Sequence, residues 1–113
     1  MKLNRDNISG NVVKSNETYS VIDNNFLTNL VVSKTILHPS KETGGHFHKG
    51  QEEVYQFLYG EGEMVVGTSK FKVTAGDTIL IPDGLYHKVW NHSKVEDLIF
   101  ICVFDGKRNH KWV

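Results

Sequence analysis

At 113 residues the chain has room for one domain, and its thirteen basic and thirteen acidic side chains cancel to a formal charge of zero. That balance argues against a nucleic-acid partner, which needs a broad positive footprint, and against a polybasic membrane-docking stretch. The single cysteine, Cys102, excludes an intrachain disulfide.

The first twenty residues are polar and lack the apolar middle of a signal peptide, so a cytoplasmic protein is expected. Apolar residues never recur at helical spacing for long. They fall instead in short or alternating runs broken by glycine, proline and aspartate, which predicts strands. In chain order these are residues 26–32 leading into 34–37, then 54–59, 63–66, 71–73, 78–81, 86–90 and 98–104. The turns between them are Gly60-Glu61-Gly62, Gly67-Thr68-Ser69, Ala75-Gly76-Asp77, Pro82-Asp83-Gly84 and Asn91-His92-Ser93. Seven or eight strands with short connections predict an all-β sandwich or barrel, a single domain over residues 1–113. None of the apolar runs is long enough to span a bilayer as a helix. Cys102 lies in the last run and reads as a small buried thiol. The polar tail from Asp105 to Lys111 either frays or covers an edge strand. A chain this small gains from pairing with a copy of itself, so a homodimer is expected.

Three of the six histidines are spaced for chemistry. His46 and His48 are two apart and share a face if the chain is extended there. Glu52 and Glu53 follow, and His87 comes just after the Pro82-Asp83-Gly84 turn. Three imidazoles and one carboxylate suit a single borderline divalent ion such as manganese, iron, cobalt, nickel or zinc. Four protein donors leave a six-coordinate ion about two positions for water or substrate. On spacing alone the His46/His48 pair is also what two surface histidines would look like.

The glycines and proline around these residues carry a resemblance. The segment from His46 to Gly60 resembles the first motif of the cupin superfamily: His-x-His, a glutamate, then six residues to a glycine. The segment from Gly76 to Asn91, with Pro82, Gly84 and His87, is similar to the second motif at every position. Fifteen residues separate Gly60 from Gly76, and the resemblance spans about residues 34–104. It implies a jelly-roll barrel (a double-stranded β-helix) and a metal held by His46, His48, Glu53 and His87. The six-residue gap to Gly60 selects Glu53 over Glu52. One position departs: the family has a glycine six residues before its first histidine, where this chain has Ser40, and Gly44 and Gly45 just downstream offer an alternative turn. Asn91 is implied in turn geometry rather than ligation. Tyr55 and Phe57 share the Glu53 face and are expected to line the barrel. His38, His92 and His110 match no motif position.

The runs His46-Phe47-His48 and Glu53-Val54-Tyr55 are also similar to the first motif of archaeal cupin-type phosphoglucose isomerases. That likeness implies an isomerase or epimerase acting on a sugar or sugar phosphate. An open-chain aldose would chelate through its first two oxygens, with Glu52 and Tyr55 as the candidates to carry the proton lost from C2. Lys49 and Lys88 are the basic residues beside the motifs that a phosphate would need. The same ligands could instead serve an iron-dependent dioxygenase, or a sugar-binding or sensory module that catalyses nothing. Metal-free sugar-nucleotide epimerases of similar fold are disfavoured because all four ligand positions are filled.

Overall fold

Alternation decides which strands pack. In the computed structural model, which describes residues 1–46 and 49–106, Tyr55 and Phe57 of β4 (Glu53–Tyr59) are buried while Val54 and Gln56 face out. In β9 (Leu98–Asp105) the inward set is Leu98, Phe100 and Cys102. Phe57 and Phe100 meet at a ring-centroid distance of 5.1 Å. Each fully buried ring is worth about 1.5–3 kcal/mol of transfer free energy.

Nine strands form among the described residues, all paired antiparallel. The larger sheet has the order β1-β2-β3-β9-β4-β7, adding β1 (Asn11–Ser15), β2 (Tyr19–Asn24), β3 (Leu30–Leu37) and β7 (Thr78–Ile81) to the two above. The smaller runs β6-β5-β8, made of β6 (Ser69–Thr74), β5 (Glu61–Val66) and β8 (His87–Trp90). Met64, Val73 and Val89 of the small sheet close on Leu37, Phe57, Leu98 and Phe100 of the large one to make the core. This is the two-sheet jelly roll that the motifs imply. Among the described residues no helix is long and apolar enough to cross a membrane.

Two expectations are corrected. Residues 26–29 are not strand: β3 begins at Leu30, and Phe26 and Leu27 are exposed in the connection before it. The β1–β2 hairpin was not foreseen, and it brings the count to nine rather than seven or eight. Residues 1–8 run along the outer face of the large sheet. There Lys34 Nζ donates to the carbonyls of Arg5 and Asp6 at 3.0 and 3.2 Å, and Ile8 is buried. That cover explains how an outward lysine in β3 comes to be buried, with its charge met by two carbonyls.

Ser40, where the family has glycine, adopts a left-handed φ of 63° and donates its amide to Ser93 O at 2.8 Å. The turn is made at that position and not at Gly44 or Gly45. Gly76, at φ 100°, lies where side chains are rarely tolerated. Of the C-terminal tail, residues 107–113 and with them His110 lie outside the described residues.

Candidate metal centre

Glu53 opens β4, and the strand's alternation turns its side chain inward, where it is 4% exposed. The Pro82–Gly84 turn delivers His87 to the first position of β8, where it is 1% exposed. His46 is brought in by the segment over residues 41–46, which runs antiparallel beside β8. Asn91 N donates to Lys41 O and Thr43 N to Val89 O at 2.8 and 2.9 Å. The segment ends in a reciprocal bridge, His46 N to His87 O and His87 N to His46 O at 3.2 and 2.9 Å. Residues 41 positions apart in sequence are thus fixed side by side by their own backbones.

One donor atom from each of His46, Glu53 and His87 falls within 4.8 Å of the others. His87 Nε2 lies 2.9 Å from Glu53 Oε2, and the two imidazoles meet edge to face with centroids 4.4 Å apart. His48, the fourth expected ligand, lies outside the described residues.

Hydrogen bonds set which nitrogens face inward. His46 Nδ1 bonds Gly44 O at 2.8 Å and His87 Nδ1 bonds Leu85 O at 3.0 Å. A carbonyl only accepts, so each Nδ1 donates to it and each ring presents Nε2 to the cluster. Burial, the largest influence, holds the His46 pKa below its usual 6.5, and nearby His87 adds to it; the Gly44 bond and Glu53 pull the other way. Two imidazole nitrogens and a carboxylate suit a borderline divalent ion. Ligand atoms about 2.1 Å from a six-coordinate ion stand about 3 Å apart when adjacent and about 4 Å when opposed. The observed separations match that to within a small side-chain adjustment, so the residues fit such an ion.

His46 and Glu53 line a cavity of about 600 Å³, a size suited to a small molecule, and His87 packs against both. Tyr55 lines it, stacked on Phe100 at 5.1 Å and 5.7 Å from the His87 ring. Its hydroxyl is held protonated well above pH 10, first by burial and then by Cys102 and Glu53. Glu52 is a correction. It is exposed and absent from the cavity wall, because the alternation that turns Glu53 inward turns its neighbour out. Lys88 is also elsewhere, with Nζ 3.3 Å from Glu42 Oε1. Asn91 proves structural: Nδ2 donates to the carbonyls of Leu37, His38 and Glu96, and Oδ1 accepts from Ser93 N.

Sequence reasoning missed the part of the cavity lining that β1, β2 and β3 supply. Asp23 on β2 and Ser33 and Thr35 on β3 line the cavity, with Ser33 Oγ donating to Asp23 Oδ1 at 2.6 Å. Lys14 on β1 lines it too, its ammonium 5.4 Å from the Tyr19 ring centre. Cys102 also lines it, and its Sγ lies 3.3 Å from Glu53 Oε1. Burial first, then the Glu53 charge and hydrogen bond, pushes that thiol well above its usual pKa.

A cupin-domain family model matches residues 33–104. The chain belongs to the cupin family. Among curated proteins this cupin is 39% identical over 74 residues to an uncharacterised protein of Methanocaldococcus jannaschii, covering 66% of this chain and 53% of that one. It is 33% identical over 72 residues to an oxalate decarboxylase of Arthroderma benhamiae, covering 63% of this chain and 16% of that one. The cupin therefore spans about half the length of the first relative and a small part of the second. Among solved structures it is similar to a Thermus thermophilus protein at TM-score 0.73 and 24% identity, covering 80% and 86% of the two chains. It is also similar to Bacillus subtilis oxalate decarboxylase, studied for its Mn(II) centres, at TM-score 0.77 and 23% identity, covering 90% and 29%. At these identities the structural matches establish the shared jelly roll.

Proposed function

We propose that this cupin binds one divalent transition-metal ion through His46, Glu53 and His87, with His48 as fourth donor. We propose further that it isomerises or epimerises a small sugar or sugar phosphate. The observation that carries the reading is the convergence of the three donors at a cavity, lined by His46 and Glu53, whose wall also bears hydroxyl-matching groups. A bound ion would polarise a carbonyl or hydroxyl oxygen of the substrate. The chain's own residues do the rest. The Asp23–Ser33 pair and Thr35 offer acceptors and donors to substrate hydroxyls. Tyr55, kept protonated, is a donor beside His87 and not a base. With Glu52 facing outward, Asp23 is the other carboxylate on the cavity wall beside Glu53, and it takes over the candidacy for accepting a proton. Lys14 is placed to meet a phosphate in the role first considered for Lys49 and Lys88.

A second reading, a decarboxylase or iron-dependent dioxygenase acting on a small carboxylate, is favoured by the 33% identity to oxalate decarboxylase. Lys14 would then face the carboxylate.

The test begins with metal content by mass spectrometry on untagged protein. About one equivalent is expected, falling on the order of tenfold or more in His87→Ala and Glu53→Gln. Aldose–ketose interconversion that persists without oxygen supports the first reading. Carbon dioxide release or oxygen uptake with small carboxylates supports the second. Sugar binding without turnover would leave a binding module. Failure to take up any divalent ion, even on reconstitution, would sink the metal-dependent reading altogether.

A further inference from the structure

Glu53 begins β4, and Cys102 lies on the neighbouring β9, whose register sets Cys102 opposite Tyr55 and Val103 opposite Val54. Both side chains point inward, and both are buried. The two oxygens of the Glu53 carboxylate have different neighbours: Oε2 stands 2.9 Å from His87 Nε2, and Oε1 stands 3.3 Å from Cys102 Sγ. We infer that Cys102 is a positioning residue of the metal centre, whose thiol donates to Oε1 of Glu53 and so fixes the carboxylate with Oε2 turned toward the ion. This rests on the metal-binding reading above.

The reasoning follows from what each donor needs. His46 and His87 are each held in rotation by a backbone carbonyl at Nδ1. A glutamate has no second ring nitrogen to anchor, and its terminal torsion is broad, so its carboxylate swings unless something grips the oxygen that does not ligate. In this contact the thiol is the donor and Oε1 the acceptor. A thiol is a weak donor, but here it is buried and its acceptor is charged, and both strengthen the bond. The contact also places sulfur on the Oε1 side of the carboxylate, away from the His87 contact, and Cys102 is not among the converging donors.

The experiment titrates cobalt(II) into metal-free full-length protein and the variants Cys102→Ser, Cys102→Val and Cys102→Ala. It reads the dissociation constant, the visible spectrum of bound cobalt and the unfolding temperature of each metal-free form. Valine fills the position with slightly larger apolar bulk and removes the donor; serine keeps a donor. The expected result is about 10- to 100-fold weaker binding in the valine and alanine variants, with an altered cobalt spectrum. The serine variant should recover to within about threefold of the parent. The metal-free valine variant should unfold near the parent temperature, which separates this role from core packing. Parent-like affinity in both the valine and alanine variants overturns the inference alone. So does a serine variant as weak as alanine, since volume would then be what matters. If the parent itself binds no cobalt, the metal-binding reading fails and takes the inference with it.

Discussion

Ser40 shows what a single backbone angle costs. An L-residue at φ 63° crowds its Cβ against its own carbonyl, a strain of about 1 kcal/mol that glycine avoids. Glycine gives part of this back through the greater freedom of its unfolded chain. Ser40 is exposed, and its amide bond to Ser93 O is kept by any residue but proline. Ser40→Gly should therefore stabilise the metal-free protein by about 0.5 kcal/mol, raising the unfolding midpoint by about 2–4 °C in calorimetry. A lower midpoint would show that the serine hydroxyl contributes more than the strain removes.

Among elements, one buried side chain joins several others in holding the loop between β8 and β9. Asn91, 2% exposed, donates to three carbonyls and accepts one amide, tying that loop to the end of β3. Asn91→Ala would strip the side-chain donor from all three carbonyls at once. The expected loss is about 3 kcal/mol in urea unfolding, and a loss below about 1 kcal/mol would mean that water replaces the amide readily. The strands around the site were legible to different degrees. In β4 Tyr55 and Phe57, and in β9 Leu98, Phe100 and Cys102, fall at every second position and pack in the core, so the pattern shows in the sequence. In β1 and β2 the side chains turned toward the cavity include Lys14, Tyr19 and Asp23, so the apolar alternation that marks a strand is missing. Phe26 and Leu27 misled in the opposite direction, being apolar yet exposed. The trio of His46, Glu53 and His87 could be read from spacing and turn residues. The Cys102–Glu53 contact could not, because 49 residues of chain separate the two and only the pairing of β4 with β9 joins them.

At the level of the whole molecule, the donors come from both sheets. Glu53 belongs to the six-stranded sheet, His87 to the three-stranded one, and His46 to the segment beside β8. An ion bound there would cross-link the two layers and bind the folded chain alone. Free cobalt or manganese at about 100 times its dissociation constant should add about 2.7 kcal/mol, an upward shift of about 10–20 °C in the unfolding midpoint. The shift should vanish in Glu53→Gln. A parent protein whose midpoint ignores added metal would contradict a site spanning the layers.

The β1–β2 hairpin lies outside the residues matched by the family model, whereas His46, Glu53 and His87 lie inside them. The chain thus keeps its candidate metal centre and part of the cavity lining on separate stretches of sequence, joined through the β2–β3 ladder. Such a division lets one part be rewritten without disturbing the other. Exchanging fourteen or so residues ahead of β3 is a small edit, tolerable at the level of strand pairing, and it would re-line the chamber around an unchanged set of donors. In this chain the room for new selectivity is concentrated in the stretch of sequence whose pattern is hardest to read.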